Sequence, residues 1–303
     1  MAGRHKTVAM LSLISGAIVW GIIWYPYRML EHAGLSGVRA SILSYLVALI
    51  LGILLLHKRV SRERPTWILL PIGVCAAACN LGYVLAMLHG QVMRVLLLFY
   101  LAPLWTVLWS RLLLNERLTG TGMGVIALSL GGAVTMLWRP ELGAPWPANV
   151  SEWLGMAAGF LFALSNVLVR QAAHLSIEIK SLAVFAGVVL LGLLALPFEP
   201  VTAVMQNRPL QLAAEHWLQL LLLGALLLVI NLVVQYGLTH TSANQAIVIF
   251  LFELVVAAVS SWLLAGEIMG PRDWLGGAMI IAASLFSGKM EESYSLEKSK
   301  VAK

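Results

Sequence analysis

Residues 69–116 read LLPIGVCAAACNLGYVLAMLHGQVMRVLLLFYLAPLWTVLWSRLLLNE, and residues 220–267 read LLLLGALLLVINLVVQYGLTHTSANQAIVIFLFELVVAAVSSWLLAGE. Shifted by 151 positions without a gap, Gly73 falls on Gly224, Asn80 on Asn231, His89 on His240, Phe99 on Phe250, Leu113 on Leu264 and Glu116 on Glu267. Leu and Gly coincide freely in apolar sequence, so the weight rests on Asn, His and Glu. Three uncommon polar residues keeping one register mark an internal duplication.

Outside this stretch the chain is just as apolar. Hydrophobic residues make up 60% of 303 and charged residues 11%. At about 20 residues per crossing, ten spans are expected, near 7–27, 35–57, 66–88, 91–114, 119–138, 152–172, 179–198, 214–237, 242–264 and 270–288. Backbone amides in lipid must bond within their own segment, and the alternation of a barrel is absent, so the spans are helices. The apolar run behind Arg4, His5 and Lys6 is too long for a signal peptide and counts as the first span.

Five spans per copy is an odd number. The second copy must therefore insert upside-down relative to the first. The sequence predicts an all-α integral membrane protein of ten transmembrane helices in two inverted five-helix repeats, with its site at mid-bilayer between them. The expected division is 1–144 for the first repeat, 145–289 for the second and 290–303 for a polar tail. The join holds Pro140, Pro145 and Pro147, which interrupt any helix.

The net charge of +6 raises the question of a nucleic-acid partner, but no basic face survives outside the loops. With both termini cytoplasmic, fourteen Lys and Arg fall inside and six outside, which obeys the positive-inside rule. The expected partners are the lipid bilayer and a small-molecule substrate, with no nucleic acid and a monomer favoured. No phosphate-binding glycine loop, HExxH helix or Ser/His/Asp set is present, so neither a cofactor, direct ATP use nor enzyme chemistry is expected. Cys75 and Cys79 share one helix face, and without His or further Cys nearby they read as packing rather than a metal pair.

Polar and aromatic residues at mid-span are the site candidates. Trp20 sits too deep for an interfacial belt and either packs or lines a cavity; Trp24 lies one turn on, facing the same way. Asn80 with Tyr83 and Asn231 with Gln235 recur at equivalent depths. Tyr83 and Gln235 are read as lining a pathway, while the Asn pair fits either that role or interhelical hydrogen bonding. Phe162, Ser165 and Asn166 share the sixth span. Phe99, Tyr100 and Pro103 share the fourth, where Pro103 frees a carbonyl and bends the helix. Pro103 aligns with Leu254, so any bend in the ninth span needs another cause. Phe250 and Glu253 lie in that span. An ionised carboxylate at Glu253's depth costs about 2.5–3.5 kcal/mol, so it must face a wet cavity, be protonated or pair with a neighbouring helix. Glu116 and Glu267 end their helices and are read as caps or as partners of Arg117 and Arg272. His89 and His240 are read as stabilising their turns.

The stretch 101–118 (LAPLWTVLWSRLLLNERL), its echo 250–268 (FLFELVVAAVSSWLLAGEI) and the ten-span repeat together resemble the EamA-type branch of the drug/metabolite transporter superfamily. The aromatic core and Glu253 look most like the YddG-type aromatic amino-acid exporters of bacterial inner membranes. That resemblance implies export of aromatic and other neutral amino acids by alternating access. Trp20, Tyr83, Tyr100, Phe162 and Phe250 would enclose the apolar part of the substrate. Asn80, Asn166, Asn231, Gln235 and Glu253 would take its polar ends. Export of cationic drugs or polyamines is the second reading, since rings and a carboxylate suit a cation. An intramembrane enzyme or a sensor is the remaining class.

Overall fold

The computed structural model describes residues 2–61, 63–138, 141, 146–198, 213–266 and 268–290. Among them every long regular element is helical. In chain order these are α1 (Ala2–Ile22), α2 (Trp24–His32), α3 (Gly37–Val60), α4 (Leu69–His89), α5 (Val92–Phe99), α6 (Ala102–Leu113) and α7 (Gly120–Leu137). The second half contributes α8 (Val150–Gln171), α9 (Ile177–Ala195), α10 (Ala214–His240), α11 (Ala243–Phe250), α12 (Phe252–Ala265) and α13 (Pro271–Phe286).

The helix starts follow from local chemistry. Ser36, Thr119, Asn149, Ser176 and Ser242 each accept a hydrogen bond from the amide three residues on, satisfying an orphan donor of the first turn. Gly266, at φ 69°, closes α12 in a left-handed conformation that a side chain would resist. Among the described residues nine helical segments are long and apolar enough to cross a membrane. The tenth, α13, has 16 residues, about 24 Å at 1.5 Å per residue, and packs along α7.

Three crossings are broken. The first changes from α1 to α2 at Ile23, the fourth from α5 to α6 at Tyr100 and Leu101, and the ninth from α11 to α12 at Leu251. The last two breaks fall on one another under the 151-residue shift, although only the fourth crossing has a proline there.

Exchanging each crossing with the one five later reproduces the packing. α4 lies on α8 as α10 lies on α1, and α4 on α9 as α10 on α3. α5 and α6 lie on α8 as α11 and α12 lie on α1. The contacts α3–α9 and α7–α13 are their own mates and mark the axis. Two five-helix repeats so related, joined after an odd number of crossings, run inverted to one another.

Glycines set the close approaches between repeats. A Cβ on Gly73 would come within 2.6 Å of the Ala183 carbonyl oxygen, and one on Gly132 within 2.7 Å of Gly276 O. Only hydrogen fits at either crossing.

Candidate functional site

The two mid-membrane bends bring the candidate rings together. Tyr83 of α4 meets Phe99 edge-on at 5.0 Å between centroids, and Phe99 meets Tyr100 at 5.2 Å. Phe99 also meets Phe162 of α8 at 5.6 Å, and Phe162 meets Phe250 of α11 at 5.7 Å. These separations are those of interacting ring pairs. One aromatic chain therefore runs from the third crossing, through the bend of the fourth, to the sixth and ninth.

Glu253 stands in the first turn of α12, just past the ninth-crossing bend. Its carboxyl group lies beside the Tyr100 hydroxyl, with Tyr83 and Cys79 near it. The bend starts a new helix at Phe252, so the Glu253 carboxylate sits at the positive, N-terminal end of a half-helix dipole. Its side chain is half-buried and faces this ring lining. The carboxylate can accept a hydrogen bond, hold an ammonium group or carry a proton.

Three amides share the middle of the bundle. Asn231 and Gln235 of α10 are 9% and 3% exposed, and their side-chain oxygens have no hydrogen-bond partner. The Asn166 side-chain nitrogen on α8, which packs against α10, is in the same condition. A buried polar atom left unpaired costs about 1–3 kcal/mol, so water or a ligand is the expected partner. Trp20 packs half-buried against the larger apolar cluster, to which Phe250 belongs and against which Phe162 also packs.

Asn80 stands apart from its aligned mate Asn231. It accepts a hydrogen bond from Ser41 Oγ at 2.8 Å and lines a small crevice with Val38, Ile42, Val84 and Val188, between α3, α4 and α9. Trp24 donates to Ser260 Oγ at 2.9 Å, and Ser260 donates to the carbonyl of Gly21 at 2.9 Å. The break at Ile23 frees that carbonyl, so Trp24 and Ser260 clamp the first crossing to α12. Cys75 and Cys79 are buried free thiols. No metal-holding group of His, Cys, Asp or Glu occurs among the described residues.

Several polar contacts escaped the sequence reading. Arg94 at the start of α5 binds Glu152 of α8 at 2.7 and 2.9 Å, with side chains only 11% and 3% exposed, and also donates to Trp146 O. Lys180, counted among the fourteen charges of the cytoplasmic side, is wholly buried, and its Nζ donates to Thr239 Oγ1 at 2.6 Å. Arg170 donates to the Thr239 carbonyl. Glu116 does cap a helix, but that of the other repeat: its carboxylate accepts from the Ala243 amide at 3.2 Å and from Asn244 Nδ2 at 3.4 Å. Glu267 lies outside the described residues. His89 and His240 place Nδ1 2.9 and 2.8 Å from the carbonyl oxygens of Leu85 and Tyr236, inside their own last turns.

Comparison with known proteins agrees with this architecture. A solved crystal structure shares the fold with a TM-score of 0.74 at 16% identity, over 92% of this chain and 98% of that one. No curated protein matches the chain. The model of the EamA-like transporter family matches twice, over residues 7–138 and 150–288, once for each repeat. Two matches that tile most of the sequence leave one conclusion: this multi-pass membrane protein belongs to the EamA-like transporter family.

Proposed function

We propose that the protein exports aromatic and other neutral amino acids from the cytoplasm by alternating access, through the chamber where Glu253 meets the ring chain. The observation that carries this reading is Glu253 itself: a half-buried carboxyl group at mid-membrane, beside Tyr100 and near Tyr83, at the head of a broken helix. An α-amino acid offers an ammonium group for that carboxylate and an apolar or aromatic side chain for Phe99, Phe162 and Phe250. The unpaired amides Asn166, Asn231 and Gln235 supply donors and acceptors for its carboxylate and for water. A mostly apolar pocket with a few placed polar groups suits such a ligand. The excess of basic residues on the N-terminal face supports an orientation with both termini in the cytoplasm, in a bacterial inner membrane; the chain acts as a monomer in this reading.

The same carboxylate favours a second reading, export of cationic drugs or polyamines, in which the rings contact the cation directly. Purified protein in liposomes distinguishes the two. Counterflow of labelled phenylalanine and threonine is expected with the unaltered chain. Glu253→Gln keeps the shape and removes the charge. For amino-acid export, it lowers transport of both substrates by about tenfold or more, the loss of one charge-assisted hydrogen bond. If folded protein gives no counterflow, amino-acid export is wrong. If Glu253→Gln abolishes efflux of a cationic dye while amino-acid counterflow was never present, the second reading replaces the first.

A further inference from the structure

Exchange of the repeats gives each contact between them a mate on the other membrane face, so missing mates record which end of the chamber is shut. On the N-terminal face, where α1 begins and α6, α8 and α10 end, α11 packs on α6, α7 and α8, and α10 packs on α8. Their mates on the opposite face are α5 on α12, α5 on α13, α5 on the first crossing and α4 on the first crossing. Among the described residues, each of these makes at most marginal contact. The flanks agree: α12 leans out onto α13, while its counterpart α6 has left α7 and turned inward.

The shut end is held by specific chemistry. Asn244 Nδ2 donates to Ser110 Oγ at 2.9 Å, joining α11 to α6, and both residues are buried. The Glu116 carboxylate, just beyond α6, takes the Ala243 amide and the same Asn244 nitrogen. It therefore satisfies an orphan first-turn donor and meets the positive end of α11.

We propose that Ser110, Glu116 and Asn244 form the latch of the N-terminal face, that the structure is the state open to the opposite face, and that this latch breaks when access reverses. Under the 151-residue shift, Asn244 corresponds to Met93 and Ser110 to Ser261. These counterparts approach when the opposite face shuts. A thioether cannot donate to Ser261 as Asn244 donates to Ser110. The two closures are therefore unequal, and the chain rests with its N-terminal face closed.

This inference rests on the carrier reading above, yet its test needs no substrate. In a chain carrying Cys75→Ala and Cys79→Ala, two cysteine pairs are introduced separately and together: Ser110→Cys with Asn244→Cys, and Met93→Cys with Ser261→Cys. A short bifunctional thiol reagent in liposomes should link the first pair readily and the second slowly. In the four-cysteine chain any one molecule should carry one link, never both. Glu116→Gln, with the Met93/Ser261 pair as reporter, should raise the rate of that second link by about tenfold, the effect of removing a charged acceptor. Thermal unfolding and a monodisperse elution profile confirm that the variants fold. Both links in one molecule, no link at the first pair, or unchanged rates after Glu116→Gln in folded protein would overturn the latch. Alternating links in a protein that shows no amino-acid counterflow would leave the latch standing and remove the substrate assignment.

Discussion

The fourth and ninth crossings share one backbone plan and differ in chemistry. Each breaks at the middle of the membrane, and each break rests on a glycine of the other repeat: Phe99 and its carbonyl on Gly159 of α8, Glu253 and its carbonyl on Gly21 of α1. The fourth has Pro103 beyond its bend and Arg94 at its start. The ninth has Leu254 and Gln245 at the aligned positions, with Glu253 standing where the fourth has Ala102. Duplication has thus fixed where the helices break, and divergence has decided which break carries charge. Alternating access needs the first kind of symmetry, since each repeat must adopt the other's shape. A ligand with distinct ends needs the second kind of difference.

The largest test of this difference is at the helix starts. Arg94→Ala leaves Glu152 buried beside the Ala148 amide and Asn149 side chain but without its cation. Removing one partner of a buried pair costs about 3–5 kcal/mol, and the surviving hydrogen bonds hold the value near the lower end. Gln245 is equally buried, but its side-chain oxygen has no partner, so Gln245→Ala removes an unsatisfied group and should cost far less. Apparent unfolding midpoints in detergent check the pair. Equal losses would show that the two starts are anchored alike.

A smaller effect belongs to the glycines. At Gly159 all three nearest atoms to an added Cβ are backbone of Phe99, which cannot rotate away. At Gly21 the closest approach is longer, 2.7 Å to Val256 Cβ against 2.3 Å to the Phe99 oxygen at Gly159, and one of its three contacts, Val256 Cγ1 at 2.8 Å, can turn away. Gly159→Ala should therefore destabilise by about 1–3 kcal/mol, the usual range for overpacking, and Gly21→Ala by less. The same unfolding measurement ranks them, and the reverse order would mean that the ninth-crossing bend is the stiffer one.

How much of this was legible beforehand follows from what each signal depends on. The duplication, the inversion and the depth of Glu253 rest on spacing along one chain, and spacing is written in the sequence. The ring chain was legible as a set of depths, because mid-span rings on several crossings must meet if the repeats meet. Partners across the bundle were not. Asn80 and Asn231 occupy one register, yet Ser41 happens to face the first, while the oxygen of the second is left unpaired. Glu116 was readable as a cap but not as the cap of α11, which begins 127 residues later. Lys180 was counted only as a charge of the cytoplasmic side, because hydropathy averages over a window and cannot show that its Nζ is buried on Thr239.

The smallest effect tests what causes the bends. Proline lacks an amide donor and is tolerated in a helix's first turn, where that donor has no partner. Pro103 occupies such a place in α6, after a chain that has already turned at Leu101, whose amide reaches only to Leu98 O at 3.3 Å. The ninth crossing makes the equivalent turn without proline, with the Leu254 amide on Leu251 O at 3.1 Å. If packing on Gly159 and Gly21 makes both bends, Pro103→Ala should change stability by less than about 1 kcal/mol and leave transport intact. Leu254→Pro should cost more, because it removes that hydrogen bond and a buried side chain. Should Pro103→Ala instead abolish transport in folded protein, the fourth-crossing bend is made by its proline. The resemblance between the two bends would then have separate causes.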